Sequence, residues 1–598
     1  MTDDRSPQLI WTPEGAPRSG RFGDVYFSQQ DGLAETRAVF LDGCGLPEAW
    51  RGRRDFTVGE LGFGTGLNIA ALLDLWRREG PADGRLHLFS VEGFPLTPDE
   101  ARRALATWPE IAEAAQALLD VWPSATPGFH RLDLPDFRAT LDLAVGEASR
   151  ALQQWQGKAD AWFLDGFAPS TNPDMWSDAV LDGVRARSAP GARLATFTVA
   201  GAVRRGLTGR DFTVEKKPGH GRKRERLEAH LQGQAADVAA GRVAIIGAGI
   251  AGTSAARALR ALGREVVVIE ADAPGAGGSG FPAGLVTPRL DVGDAGVAGL
   301  YAQALERASA LYRRVDGAVL SDGVLQIEGA PRDAARYARV AEQPIWRRAA
   351  MRVLEREAVS ETLSEPSTAG GLMMAGAFVL RPRAVLEAWL DGVTIIRGAI
   401  DSMARQNGRW RLFDGEGRLI AEATQVVAAA GWGVDSLAPD LGLKPVRGQA
   451  DWVEGTAPPV ASAWGGYVAP TGDGMLFGAT HDRGETATTP TAAATARNRE
   501  TLAARMPELA KAIEGRPVRS RAAVRATTAD RLPLVGEAAP GLYVLTGLGS
   551  RGLCLGPLLG EHLAAMACGT PSPLPRDLAT RIDVARVTQP TAKPGASL

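Results

Sequence analysis

The chain has 598 residues, 45% hydrophobic and 23% charged, with a formal net charge of −2. That length suits two large domains or three to four smaller ones, and near-neutrality excludes a polyanion binder driven by overall charge, though not a local basic patch. Its three cysteines, Cys44, Cys554 and Cys568, make no disulfide framework and no paired-cysteine knuckle, so no metal site is expected and a reducing cytoplasm is.

The polar, acidic N-terminus is not a signal peptide, and no apolar run is long enough to span a bilayer. A cytoplasmic monomer without a membrane partner is expected. Residues 1–20 read as an extended lead-in and Asp24–Phe27 as a short strand. Phe56–Leu61 is predicted as a strand, Gly62–Gly66 as a glycine loop and Leu67–Trp76 as a helix. Glu60, Gly62, Gly64 and Gly66 resemble the ExGxGxG loop of class I methyltransferases that bind S-adenosylmethionine. The glycines would leave bare backbone for the methionine part of that cofactor, and Asn68 belongs to the same stretch. Leu86–Val91 is the next strand. It ends in Glu92, an acid placed to bridge two ribose hydroxyls. Leu141–Glu147 is another strand, with Glu147 on the adenine side.

Ala161–Leu164 is a buried strand that delivers Asp165 to its carboxyl end, where ligands bind in open α/β sheets. The irregular loop Gly166–Pro173 can hold an acceptor. If the acceptor is an amine, Asp165 can accept its hydrogen bond and orient its lone pair; a helix-capping aspartate is the plainer alternative. Leu194–Val199 is a further strand, and Phe212–Lys216 and Arg226–Leu231 form an antiparallel pair around a basic hairpin loop. Lys216, Lys217, Arg222, Lys223 and Arg224 are candidate RNA contacts on charge, against the reading of a solvated face. Residues 1–234 thus form one unit, and the Ala-rich segment 235–241 reads as a linker.

The second unit, 242–570, opens on Val243–Ile246, a short buried strand. Gly247, Gly249 and Gly252 follow in GxGxxG spacing, then a helix at Ala255–Leu262 and a second strand, Val266–Ile269, ending in Glu270. The glycines serve the turn, the approach of a pyrophosphate and helix packing, and the acid takes ribose hydroxyls. NAD and FAD both fit that fingerprint. Three later returns to the same sheet favour FAD. Gly277–Pro288 is a second glycine-rich crossing with Ser279 and Gly280. Thr424–Gly433 is a late strand reaching Gly431. Leu542–Leu553 runs into Gly549, Ser550, Gly552 and Leu553 at a helix start. Excursions at about Tyr301–Asp414 and Lys444–Arg521 would form a mixed sheet over the flavin. Arg525 and Arg551 suit a substrate carboxylate, which guanidinium binds bidentately. Cys554 reads as a buried small residue rather than a flavin link, so the FAD is expected to be non-covalent. The tail 571–598 is Pro-rich and polar and reads as loosely ordered.

Taken together, ELGFGTGLN at 60–68, DAWFLDGFAPSTNPDMW at 160–176, GRKRE at 221–225, IIGAGIAG at 245–252, PVRGQ at 445–449, RATTADRLPLVG at 525–536 and GSRGL at 549–553 resemble the MnmC family of bifunctional tRNA modification enzymes. The second unit also resembles glycine and D-amino-acid oxidases, in which the arginine matching Arg525 binds the substrate carboxylate. The resemblance implies an α/β chain of two domains: a class I methyltransferase, then an FAD-binding Rossmann domain with an inserted mixed-sheet substrate domain. It implies two steps on the wobble uridine in the tRNA anticodon loop. FAD-dependent oxidation would convert the 5-carboxymethylaminomethyl group to 5-aminomethyl, and S-adenosylmethionine-dependent methylation would give 5-methylaminomethyl-2-thiouridine. Two other readings are an N-substituted-glycine oxidase fused to an unrelated methyltransferase, and an RNA-binding scaffold with inactive cofactor folds.

Overall fold

The computed structural model describes residues 6–13, 15–28, 31–221, 224–235, 241–346 and 349–588. The chain divides into two compact units, Met1–Ala239 with Gly569–Arg576, and Ala240–Cys568 with Asp577–Leu598. The first is built on an eight-stranded sheet of β1 (Asp55–Leu61), β2 (Arg85–Glu92), β3 (Gly128–Leu134), β4 (Ala139–Val145), β5 (Ala159–Leu164), β6 (Ser188–Thr196), β7 (Thr213–Pro218) and β8 (Glu225–His230), in the order β3-β4-β2-β1-β5-β6-β8-β7. Strands β4, β2, β1, β5 and β6 are parallel. They are buried on both faces, which is why they read as continuous apolar runs. Helix α1 (Leu67–Glu79) leaves the glycine loop and buries nine of its thirteen residues.

Two expectations fail at the N-terminus. The lead-in is not wholly extended: Leu9–Trp11 pairs with Pro17–Ser19. Asp24–Phe27 forms no strand, only an isolated bridge from Val25 to Arg18. Its apolar residues turn inward as an aromatic cluster rather than alternating across a sheet.

The second unit carries a six-stranded sheet of β9 (Val243–Ile246), β10 (Val266–Glu270), β11 (Thr394–Arg397), β12 (Gln425–Ala428), β13 (Leu534–Ala539) and β14 (Leu542–Thr546), in the order β11-β10-β9-β12-β14-β13. All but β13 are parallel. Helices α2 (Ile250–Ala261) and α3 (Gly552–Cys568) pack closely. A Cβ on Gly560 would lie 2.6 Å from the Ser254 carbonyl carbon, so only glycine permits that crossing. Buried Glu561 on α3 is bound by Arg307 at 2.6 and 2.8 Å and by Arg257 of α2 at 2.6 Å. Such a buried charge is tolerable only when paired in this way. A ten-stranded, mainly antiparallel sheet forms the second layer of the unit, and a three-stranded meander over Ser402–Ala423 packs on the first sheet.

The excursions are shorter and longer than expected. The helix Ala295–Tyr312 belongs with the cofactor sheet, since the Tyr312 hydroxyl donates to the Leu553 carbonyl at 2.8 Å. Thr394–Arg397 is already an edge strand of that sheet. The first excursion therefore covers Val319–Leu380, and the second runs on to Thr527, placing Arg525 inside the substrate sheet. An exposed edge strand such as β11, with Ile395 41% exposed, has no hydrophobic pattern to betray it.

Residues 571–588 are packed rather than loosely ordered. Gln156 donates to the Leu574 carbonyl at 2.8 Å, Arg131 to that of Pro571 at 2.8 Å, and Leu574 is fully buried. Helices at Arg576–Ile582 and Ala585–Thr588 follow, with Ile582 and Val584 buried. Residues 589–598, and 236–240 of the expected linker, lie outside the described residues. No helix among the described residues is long and apolar enough to cross a membrane.

Removing Leu574 tests the assignment of this returning segment. Leu574→Ala should cost about 2–5 kcal/mol in the first unit, lowering that unit's melting transition. The transition of the second unit should stay in place; movement of that transition alone would show that the segment belongs to the second unit.

Candidate active sites

In the first unit the carboxyl ends of β1, β2 and β5 open on a cavity of about 1040 Å³. Asp165, Asn68, Glu92, Glu147, Gly62 and Gly64 lie in its wall. Asn68 Nδ2 donates to Asp165 Oδ2 at 2.7 Å, and Asn68 Oδ1 accepts from the Thr36 hydroxyl at 2.8 Å. A fixed amide thus aims the carboxylate. Glu92 Oε2 accepts from the Gly64 amide at 2.9 Å and Oε1 from that of Phe94 at 2.8 Å. Burial pushes its carboxyl up, while those amides pull it back.

Glu60 is not in the wall. It is fully buried, Oε2 accepts from the Ser90 hydroxyl at 2.6 Å, and Oε1 meets no hydrogen-bond partner among the described residues. Burial, reinforced by the charge of Asp165, pushes its carboxyl up to about 8. Glu147 does reach the wall, but as the cap of helix Ala148–Gln154, accepting from the Ser149 amide at 2.8 Å and hydroxyl at 2.7 Å and from the Arg150 amide at 3.0 Å. Burial acts to raise its carboxyl, and these bonds outweigh it and hold it low. The space beside the loop glycines is taken by protein. A Cβ on Gly62 would collide with the Asp165 carbonyl, and one on Gly66 would meet Leu118 and Trp122. Positive φ at Gly62 (+95°) and close chain approach explain the glycines without reference to a ligand.

On the basic hairpin, Lys216 pairs with Glu225 at 2.7 Å and Lys217 with Glu215 at 2.6 Å. Such exposed pairs are weak and exchangeable for phosphate. Arg224 is exposed; Arg222 and Lys223 lie outside the described residues. His220, on the same hairpin, lines the cavity.

In the second unit, Gly247–Gly252, Gly431 and Gly549–Gly552 follow the carboxyl ends of neighbouring β9, β12 and β14. Gly247 needs φ +103° and a Cβ there would lie 2.7 Å from the Ala429 carbonyl, while a Cβ on Gly252 would collide with the Gly247 carbonyl. The turn is therefore bare, as a pyrophosphate requires, and the starts of α2 and α3 adjoin it. Glu270 Oε2 accepts from the Ala248 amide at 2.7 Å. Ser279 Oγ accepts from the Ile250 amide at 2.9 Å, joining the second glycine crossing to the first. A Cβ on Gly280 would meet Arg521, whose guanidinium clips the carbonyls of Gly275 and Ala276. Cys554 is fully buried and its thiol is pushed up to about 12 by burial.

Arg525 is half-buried and has no carboxylate or hydrogen-bond partner among the described residues. Its guanidinium lies across Gly448, where a Cβ would collide with Nη2. Burial lowers its affinity for its proton, opposed by nearby Tyr467. The Thr527 methyl, two residues on, lies 3.7 Å from where a Cβ on Gly549 would stand. Arg551 donates to the Thr287 hydroxyl and faces Tyr301. Partial burial, then Arg525, Arg483 and Arg531, hold His481 below the ordinary histidine range. Asp482 opposes them, so arginines outnumber acids around His481, and an anionic ligand at Arg525 would relieve that excess.

Residues 242–566 match the profile of FAD dependent oxidoreductases, and residues 109–232 that of S-adenosyl-L-methionine-dependent methyltransferases. The chain is 54% identical to the tRNA 5-methylaminomethyl-2-thiouridine biosynthesis bifunctional protein MnmC of Caulobacter vibrioides, over 99% of this chain and all of that one. It is 42% identical to the protein of the same name from Maricaulis maris, over 94% and 93% of the two chains. The chain belongs to the MnmC family. It is a two-domain α/β enzyme whose cofactors are S-adenosylmethionine and FAD. L-proline dehydrogenase from P. horikoshii shares the fold of the second unit, with a TM-score of 0.50 and 19% identity, over 58% of this chain and 97% of that one.

The residues missed from sequence are those whose role is tertiary: Thr36 behind Asn68, Arg521 on the glycine crossing, Gly448 under Arg525, and Phe22, Tyr26 and Phe167 in the cavity wall. Phe167 and Gly448 lie inside the stretches 160–176 and 445–449, where no spacing singles them out, and the others lie in no motif.

The Glu60 carboxyl yields a signed pH test. A carboxyl whose folded value is raised to about 8 from an ordinary 4.5 holds its proton more tightly folded than unfolded, so stability falls as pH rises between those values. Glu60→Gln should remove that slope. The melting advantage of the variant should be absent below pH 4.5, grow towards pH 8 and then level off; a constant offset would refute the raised value.

Proposed function

We propose that this chain carries out two successive reactions on the wobble uridine of tRNA, first removing the carboxymethyl group from 5-carboxymethylaminomethyl-uridine and then methylating the exposed amine. Family membership supports this over a small-molecule oxidase fused to an unrelated methyltransferase. The observation that carries the residue-level reading is Arg525, a half-buried cation with no acidic partner among the described residues, beside a glycine slot on the substrate sheet. It would hold the glycine-like carboxylate in a bidentate fork. Arg551, with Thr287, would hold the other side of the substrate near the flavin. When bound, FAD supplies the acceptor for a hydride from the α-carbon, and S-adenosylmethionine supplies the methyl group. Water then adds across the substrate C=N bond and the two-carbon oxo acid leaves, giving the 5-aminomethyl group.

In the first unit Asp165, aimed by Asn68, would accept a hydrogen bond from the neutral amine and point its lone pair at the methyl donor. Glu92 would take ribose hydroxyls, and Glu147 would serve the adenine side through its helix cap rather than through an uncommitted carboxylate. Gly247, Gly249, Gly252, Glu270, Ser279 and Gly280 would hold the FAD pyrophosphate and ribose; Gly431, Gly549, Ser550, Gly552 and Leu553 would line its flavin end. Lys216, Lys217, Arg222, Lys223 and Arg224 would meet tRNA phosphates. We take the enzyme to be a cytoplasmic monomer with non-covalent FAD and no metal.

Nucleoside mass spectrometry of tRNA carrying the carboxymethylaminomethyl group tests both steps. The pure protein should consume that nucleoside with or without S-adenosylmethionine. The aminomethyl form should accumulate without the methyl donor and the methylaminomethyl form should appear with it; unchanged tRNA would return the small-molecule reading. Arg525→Lys should raise KM for the first step about 10- to 100-fold, since a charge-assisted bidentate contact is lost, and leave methylation intact. Asp165→Asn should slow methylation on the order of 100-fold without weakening S-adenosylmethionine binding.

A further inference from the structure

The wall of the methyltransferase cavity contains side chains that neither step above employs. Arg21, Phe22 and Tyr26 come from the segment 21–27 that continues the lead-in and is counted with it, Phe94 from the turn after Glu92, and Phe167 from the loop after Asp165. The Phe22 ring lies 5.1 Å from Phe167 and 5.7 Å from Phe94, the Tyr26 ring stands edge-on 5.2 Å from Phe167, and the Arg21 guanidinium covers Phe94 at 4.3 Å. Phe40, Phe56, Phe63, Phe89, Phe137 and Phe163 of this unit are at most 3% exposed, whereas Phe27 and Phe197, also in the cavity wall, are partly exposed. Phe22, Phe94 and Phe167 keep part of their faces uncovered. Clustered apolar faces left open inside a cavity are surface awaiting a ligand.

The cluster is held in place. Asp24 Oδ2 accepts from the Ala168 amide at 3.2 Å, tying the lead-in to the acceptor loop, and Trp176 Nε1 donates to the Phe167 carbonyl at 2.9 Å. The cavity divides by the groups in its wall. Glu92, Gly146 and Glu147 mark the cofactor end, and Phe94 goes with it, because Glu92 accepts its amide. Phe167 stands two residues after Asp165 and Phe22 packs on it, so this pair belongs to the acceptor end. At about 1040 Å³ the cavity is at the top of the range that one drug-sized ligand fills, which leaves room for a second. Uncharged, flat faces of this kind recognise a base turned out of a single-stranded loop.

We propose that Phe22 and Phe167, packed on each other, form the platform on whose open face the pyrimidine ring of the acceptor nucleoside stacks, with Tyr26 at its edge, so that the aminomethyl arm reaches Asp165. The inference rests on the two-step reading and names the residues that select its second substrate. The lead-in is thereby part of the acceptor site.

Methylation of aminomethyl-tRNA by Phe22→Leu and Phe167→Leu, with Phe22→Tyr as the conservative control, tests this. Each leucine variant should raise KM for that tRNA about tenfold or more and keep its S-adenosylmethionine Kd, measured by calorimetry, within about twofold. Phe22→Tyr should restore KM. On the unaltered protein, 5-aminomethyluridine nucleoside should compete with tRNA and not with S-adenosylmethionine, a readout independent of how the variants fold. A weakened S-adenosylmethionine Kd with unchanged KM, or competition of the nucleoside with S-adenosylmethionine, would give the aromatics to the cofactor and overturn the stacking platform alone. Absence of any methylation by the unaltered protein would overturn the two-step reading and the platform with it.

Discussion

Backbone meets backbone at the centre of both units, and side chains are excluded where it does. In the second unit the Gly252 position abuts the Gly247 carbonyl, and Gly560 lets α3 cross α2 against Ser254. In the first, Gly62 abuts the Asp165 carbonyl. These contacts bring neighbouring strand ends and helix starts close enough for one ligand to touch several of them. The parallel sheets then do the rest, since every crossover returns the chain to the same edge.

The two units treat buried charge in opposite ways. The first buries a carboxyl, Glu60, beside a second one, Asp165, and burial keeps the proton on Glu60 near neutrality. That leaves Asp165 as the group presented to the cavity, steadied by Asn68. The second unit gathers arginines round a half-buried site with too few acids to match them. Each arrangement suits one form of the same substituent: an acid held by cations before oxidation, and a neutral amine held by a carboxylate after it.

Both glycine fingerprints were legible in the sequence because they express steric necessity, which a linear pattern records. The placement of Asp165 at a strand end beside the cavity was legible for a related reason, whereas Arg525, singled out by its motif, was not legible as part of the substrate sheet. The lead-in was not. Phe22 and Tyr26 belong to an aromatic cluster assembled with Phe94 and Phe167 from distant positions, and no local period signals it. Glu147 was legible as an acid at the cavity, but not as one whose oxygens cap a helix. The local pairing of the basic hairpin was not legible, since Glu215 and Glu225 fold directly against Lys217 and Lys216 in exposed pairs that phosphate can replace. The excursion boundaries slipped because edge strand β11 is half solvated, and a solvated edge carries no hydrophobic alternation.

The segment Gly569–Arg576 completes the first unit although Ala240–Cys568, most of the second unit, intervenes in the chain. Domains emerging from the ribosome ordinarily fold in turn, the N-terminal one first. Here the methyltransferase sheet can form early, but its partner for Gln156 and Arg131 emerges only after Ala240–Cys568 has been made. Maturation of the methyl-transferring half therefore waits for most of the flavin-binding half. A gene split at the linker would separate that half from its own last piece.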